Sequence, residues 1–573
     1  SPGDLDNVFV GFDAGGPIVR DRLHLFVAGE LESRRKAPDG FLVGVDDPVL
    51  SRLSPDSVAR FTDILADFGA DAGEAGTFTL ENDLANVFAR LDLQLDEGSS
   101  AMVRYAFAGA DDDPAPNRLP GDAYELSSNG TGIESRNHSL VGQWLARLGP
   151  DLSNELLVSA QFLRDRESPR ASYPRVDVLM SARLGESGFT RELRAGSSFF
   201  GSESELDQDV LQISNALTLA TGDHTLTGGV GLERFSVRRS YLPGSRGAFE
   251  FASLADLEAN APTRYVANVP LDADAGRADF SVNQLFGFVQ EELRVSGAIR
   301  LQLGLRVDVP TLADEPAANP LVAESFGLAT SDLPGGKILL SPRLGFNVRT
   351  GGELETQIRG GAGLFTGRPL FAWLAEAFQN TGLSSGFLTC ERRNVGVPDP
   401  EVVPAFDPTA PPPTSCADGS GQTSAVPTVT VFDPDFRFPQ SFRISAALDQ
   451  RLPAGFVLSL EGVYTKAVNQ IFLEELNLGP AIPAGDRVSE NGYTNGFGFG
   501  TRESFGDPGA GNEQFDPPPG DPPAEREAIF LPRRVDDTFG QVIRVTNRSE
   551  SFSYALSARL RKRFGERLAV DAG

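Results

Sequence analysis

Between residues 299 and 309, apolar and polar positions alternate without a break. Ile299, Leu301, Leu303, Leu305, Val307 and Val309 are apolar, while Arg300, Gln302, Gly304, Arg306 and Asp308 are polar or glycine. Successive side chains of a strand point to opposite faces, so this segment predicts a strand with one oily face and one charged face. The same reading holds for Val87 to Leu95, where Arg90, Asp92 and Gln94 form the polar side. It holds for Leu354 to Gly360, with Glu355, Gln357 and Arg359 on the polar side, and again for Phe552 to Leu560. Many such runs last nine to thirteen residues. A soluble strand averages roughly five or six, whereas a strand that crosses a bilayer needs about 9–11.

Turn signals divide the alternating runs into pairs. Short connections rich in Gly, Asp, Asn or Pro fall at 15–21, 96–100, 149–153, 221–224, 295–297, 350–352, 452–455 and 564–566. Long polar stretches at 33–83, 111–136, 165–207, 237–281, 310–337, 365–439 and 477–539 separate the pairs. Short and long connections alternate strictly, which in an up-and-down arrangement collects the short turns at one rim and the long loops at the other. The expected fold is all-β: a large antiparallel up-and-down transmembrane β-barrel with about sixteen strands in this chain. β-Sandwiches and propellers also alternate, but with shorter strands and without two classes of connection. A barrel places the long loops outside the cell and the short turns in the periplasm.

Composition narrows the partners. The chain has 573 residues, 40 % of them hydrophobic, and a mean hydropathy of −0.18. It has no apolar run of about 18 residues that could span a membrane as a helix. A net charge of −28 argues against nucleic acid, which is bound chiefly through cations on phosphate. The three histidines are far apart and no catalytic motif is present, so neither a metal centre, a cofactor nor an enzyme is expected. Ser1-Pro2-Gly3-Asp4 lacks the basic and apolar start of a leader, and the final residues stop within an alternating run. The expectation is a single barrel domain over 1–573, cut at both ends.

Four stretches resemble the Oar-like branch of TonB-dependent outer-membrane receptors. They are Gly15-Gly16-Pro17-Ile18-Val19-Arg20-Asp21-Arg22-Leu23-His24-Leu25-Phe26, the pair Gly287–Glu292 with Gly304–Asp308, Ser341–Phe346 with Arg359–Pro369, and Phe438-Pro439-Gln440 leading to Asp449–Phe456. They follow the family's order along the whole chain; His24 stands where an aromatic residue is usual. The resemblance implies a barrel of about 22 strands around a plugged lumen. One strand would then precede Ser1 and five would follow Gly573, with the plug and the TonB-contacting segment upstream. It also implies TonB-dependent uptake of a bulky, scarce nutrient of the ferric-siderophore, glycan or peptide class. An adhesive or export role, or a passive porin, is the alternative. The implied partners are outer-membrane lipid, the TonB complex and an extracellular ligand, with the barrel as a monomer.

Candidate residues follow from position. Arg90, Asp92, Arg300, Arg306, Glu355 and Arg359 are expected to face the lumen, because an arginine turned toward mid-bilayer costs roughly 2–4 kcal/mol. Residues 51–69 read as a loop helix capped by Ser54, with Val58, Phe61, Leu65 and Phe68 on one face. Phe371, Trp373 and Phe378 open the longest connection; they are candidates for ligand contact or for packing the loop. Asp111-Asp112-Asp113 offers calcium-type oxygens but lacks EF-hand spacing, which favours a solvated acidic loop. Cys390 and Cys416, the only cysteines, lie in the same long connection. Passage through an oxidising periplasm predicts a disulfide between them.

Overall fold

A computed structural model describes the chain except residues 1–5, 39–52, 115, 117–122, 181–190, 353, 369–370, 392–401, 420–426, 479–533 and 565–567. Its frame is one 16-stranded antiparallel sheet in which neighbours in sequence are neighbours in space. The first eight strands are β1 (Asp6–Val19), β2 (Leu23–Lys36), β3 (Leu80–Asp96), β4 (Ser99–Asp112), β5 (Thr131–Arg147), β6 (Leu152–Pro169), β7 (Ser204–Thr221) and β8 (His224–Tyr241). The rest are β9 (Arg277–Arg294), β10 (Ile299–Leu312), β11 (Leu339–Thr350), β12 (Thr356–Thr366), β13 (Gln440–Leu452), β14 (Phe456–Ala467), β15 (Phe552–Phe564) and β16 (Leu568–Ala572). Each odd strand leads to the next even one by a short connection, and each even strand to the next odd one by a long connection. The two rims are thereby distinguished as the turn spacing predicts.

Register carries the alternation across the sheet. Residues directly opposite in an antiparallel pair share a face. Leu25, Leu91, Val103, Gly142, Val158, Ile213, Leu232, Leu285 and Val309 stand opposite one another in turn from β2 to β10. Most of these side chains are solvent-exposed in the isolated chain. A contiguous apolar row of this extent has no place on a soluble surface and matches a lipid-facing belt. Above it the same face turns charged, with Arg35 paired to Glu81 at 3.1 Å and Arg164 paired to Asp209 at 2.7 Å.

Two details of the turns correct the sequence reading. Gly15-Gly16-Pro17 does not form the first rim turn, because β1 runs on to Val19 and the chain reverses at Arg20–Arg22, with Asp21 at φ 60°. The glycine at position 15 serves the sheet: a Cβ there would come within 2.9 Å of the Phe26 ring on β2.

The long connections are far more ordered than their polar composition implies. Five of them assemble one domain around a six-stranded sheet in the order Ser385–Glu391, Arg264–Pro270, Ala248–Phe251, Arg175–Met180, Arg191–Ala195, Tyr124–Glu125. Against this sheet packs α1 (Pro55–Asp67), whose N-cap Ser54 accepts from the Ser57 N–H. Val58, Phe61, Ile64 and Leu65 of α1 are buried together with Val176, Val178, Phe249 and Tyr265. Fully burying such side chains stabilises by roughly 1.5–3 kcal/mol each, so this domain has a core of its own. Short helices α2 (Leu254–Glu258) and α3 (Pro320–Phe326), helix α4 (Phe371–Gln379), and a three-stranded sheet of Val429–Phe432, Val542–Arg548 and Gln470–Glu475 complete the loop rim.

Candidate functional site

The residues singled out from the sequence fall on one face. Gln302 stands opposite Glu292 and Gly345, and the same parity, followed through the register, places Arg90, Asp92, Arg300, Arg306 and Arg359 on the face away from the apolar row. Glu355, just before β12, reaches Arg349 at 3.7 Å and Arg451 at 3.8 Å, which are on that face too. The charges are not gathered at one point. Arg90 forks onto Asp92 at 2.8 Å far from the others. Arg306 forks onto Asp308, which is only 1 % exposed and also accepts from Gln284 at 2.9 Å.

Arg300 and Arg359 do come together, at a groove of about 390 Å³ between β10 and β13. Gly345, Gly361 and Ala447 make its floor, and Glu292, Gln302, Asn347 and Glu461 its sides. Arg359 pairs with Asp449 at 3.2 Å and approaches Glu461 at 3.9 Å, while Arg300 lies 3.8 Å from Glu292. Pairs this exposed stabilise by only about 0–1 kcal/mol, so their consequence is a patterned polar lining rather than stability. Gly361 is required here: a Cβ would sit 2.7 Å from the Leu344 carbonyl oxygen. Gly361→Val should therefore destabilise the folded barrel by about 1–3 kcal/mol. An unchanged urea midpoint in lipid would show that the backbone can yield.

At the loop rim, α4 lies against the charged face rather than the oily one. Phe371 packs on Phe235 with ring centroids 4.8 Å apart, and Phe378 stacks on Phe280 at 5.1 Å and 7°. Leu374, Ala375 and Ala377 are buried in the same cluster, with Trp373 packed partly against it. The rings of Phe371 and Phe378 are thus spent holding the β12–β13 connection to β8 and β9. Burial pushes the Glu376 carboxyl above the usual carboxylate range, against the pull of Arg239.

Cys390 and Cys416 are joined by a disulfide, with Cα atoms 5.5 Å apart, inside the core of the loop domain. Two carboxylates of the Asp111–Asp113 run are taken up by cations: Asp111 by Arg136 at 2.8 Å and Asp113 by Arg170 at 2.9 Å. Among the described residues no group of three or more acidic, histidine or cysteine side chains could hold a metal.

One feature had no signal in the sequence. Segments from four long connections converge on a cavity of about 740 Å³ between the edge of the six-stranded sheet and the three-stranded sheet. Phe199, Phe200, Tyr241 and Phe387 line one side of it, and Glu475, Arg534 and Gln541 belong to the other. These residues are scattered over more than three hundred positions, so no local motif marks them.

Comparison with known proteins places this architecture. Residues 74–573 match the family model described as Outer membrane beta barrel domain. No curated protein sequence matches significantly. Solved structures match almost the whole chain at low identity. The outer membrane transporter YddB from Escherichia coli is 9 % identical, covering 98 % of this chain and 52 % of its own, with a TM-score of 0.54. The siderophore receptor PirA from Acinetobacter baumannii is 10 % identical, covering 99 % and 58 %, with a TM-score of 0.50. A variant of the ferric enterobactin receptor PfeA from Pseudomonas aeruginosa is 12 % identical, covering 100 % and 59 %, with a TM-score of 0.51. The chain spans between 52 and 59 % of the length of these structures.

Proposed function

The chain belongs to the outer membrane beta barrel domain family, and on that premise we propose that it is the barrel of a TonB-dependent transporter. The protein lies in the outer membrane. The proposed cargo is a bulky, scarce nutrient of the ferric-siderophore, glycan or peptide class, and the branch is the Oar-like one. In this reading the long connections are extracellular and capture the ligand, while the short turns face the periplasm. The chain is one domain of a longer protein, whose plug would be rearranged by TonB at the expense of the inner-membrane proton gradient.

The observation that carries the reading is the polar lining opposite the lipid belt. Barrels of about 22 strands hold a plugged lumen, and a plug needs a wall that specifies its seat without gluing it there. Exposed ion pairs such as Arg359–Asp449 and Arg349–Glu355–Arg451 suit that task, since each is weak and exchangeable with a neighbour's charges. Arg90, Asp92, Arg300 and Arg306 extend the same lining around the sheet.

Uptake tests the proposal. In cells that carry the complete gene as sole route for its nutrient, deleting TonB should abolish accumulation while leaving surface binding intact. Accumulation that continues without TonB, or in the presence of a protonophore, would reduce the protein to a passive or adhesive barrel.

A further inference from the structure

We propose that the cavity at the loop rim is a binding site for a short peptide carrying an aromatic or large apolar side chain. This rests on the transport reading and narrows its three cargo classes to one. The volume, about 740 Å³, lies within the roughly 300–1,000 Å³ of small-ligand sites and is far too small for a folded partner.

The aromatic side of the cavity points to an apolar side chain. Phe199 and Phe200 meet edge to face at 5.3 Å, and Phe199 and Phe387 do so at 6.3 Å. The Arg175 guanidinium lies over the Phe199 ring at 5.3 Å. Phe200 and Phe387, by contrast, are 71 % and 37 % exposed, on a loop domain in which Tyr124, Phe249, Phe251, Tyr265 and Phe406 are buried. The Tyr241 hydroxyl donates to the Phe200 carbonyl oxygen at 2.9 Å and holds that segment in place. Exposed phenyl rings fixed at a cavity are a site for another ring or a branched aliphatic group.

The opposite side supplies what a peptide backbone and its termini need. Glu475 Oε1 accepts from the Asn477 and Val542 backbone N–H groups at 2.9 and 2.8 Å. Its Oε2 is buried with no hydrogen-bond partner among the described residues, an acceptor beside the cavity that a bound ammonium or amide donor would satisfy. Arg534 lines the same cavity and presents the complementary charge for a carboxylate. Opposite charges beside an apolar surface match a zwitterion with a hydrophobic side chain. They match a sugar poorly, since it brings neither charge, and a polyanionic chelate poorly too, on a chain of net charge −28. The strand Ser385–Glu391 also ends the six-stranded sheet, and Ser385 and Phe387 from it line the cavity. An extended peptide lying there would meet unpaired backbone groups of an edge strand.

The test is binding to the complete protein in lipid nanodiscs, followed by saturation-transfer NMR. The probes are Gly-Phe-Gly, Gly-Ser-Gly and maltohexaose, with empty nanodiscs as blank. Gly-Phe-Gly should bind at least about tenfold more tightly than Gly-Ser-Gly, as expected for burying one phenyl group, and maltohexaose should not bind. Phe200→Ala and Phe387→Ala replace exposed rings and should leave folding unchanged, which heat-modifiable migration checks. Each should weaken Gly-Phe-Gly by several fold, and the two together by about tenfold. Equal binding of the two peptides, preference for maltohexaose, or full affinity in the double variant would each overturn the proposal. Because the assay contains no TonB, a failure of TonB-dependent uptake with peptide binding intact would sink the transport reading alone.

Discussion

Leu305→Arg should prevent the barrel from assembling, whereas Gln302→Arg, three residues away, should leave it folded. Leu305 is 42 % exposed on the apolar face, near the middle of β10, with Val289 and Pro342 opposite it. A guanidinium there has no carboxylate directly opposite it, and its cost at mid-bilayer is about 2–4 kcal/mol, a large share of a typical folding free energy of about 5–15 kcal/mol. Gln302 is on the other face, where its amide donates to Glu292 at 3.4 Å and where Gly345 leaves open space. Arginine at 302 would gain that carboxylate. Leu303 is a poorer position for the experiment, since Glu291 stands directly opposite and would take up an introduced charge. Heat-modifiable migration after folding into lipid reads the result. If both arginine variants fold equally well, the apolar row does not face lipid.

Breaking the Cys390–Cys416 disulfide should loosen the loop domain and spare the strands below it. The bond closes a sequence separation of 26, for which chain entropy predicts about 3–4 kcal/mol of stabilisation. Cys390 belongs to the edge strand Ser385–Glu391, directly opposite Tyr265, and Cys416 to a stretch with neither helix nor strand among its described residues. The bond ties that stretch to the edge strand, beside the hydrogen bonds of Asn260 to Phe406 and of Tyr265 to Pro413. In a Cys390→Ser, Cys416→Ser variant, amides of Arg264–Pro270 should exchange a few hundredfold faster, the equivalent of that free energy at about 1.4 kcal/mol per factor of ten. Amides of β10 should not change. Unaltered exchange in Arg264–Pro270 would mean that Phe249, Tyr265 and their neighbours hold the domain without the bridge.

The sheet was legible in the sequence because its physics is local and repetitive. Alternation with a period of two, in runs long enough to cross a bilayer, requires only that each residue choose one of two media. The register between Leu25 and Val309 follows from keeping every apolar side chain on the same side. The helix at Pro55–Asp67 was legible for the same reason, through its Ser54 cap, its first-turn proline and the spacing of Val58, Phe61 and Leu65. The facing of Arg90, Asp92, Arg300, Arg306, Glu355 and Arg359 followed from parity as well. Even the pairing of Cys390 with Cys416 needed only that the two be alone and share a connection.

What the tertiary structure decided is everything that depends on contacts between distant connections. The polar composition of the long connections hid a core because Val176, Phe249, Tyr265 and Leu388 each sit in segments too short to display a period. Only their assembly buries them together. The rings of Phe371 and Phe378 could not be assigned to ligand or to packing until Phe235 and Phe280 were seen beneath them. The convergence of Phe200, Phe387, Glu475 and Arg534 on one cavity has no local signature at all, since four loops must fold before it exists. A membrane strand is selected by the medium on either side of it, which every residue reports individually. A binding site is selected by relations between residues, and those are created only when the chain closes on itself.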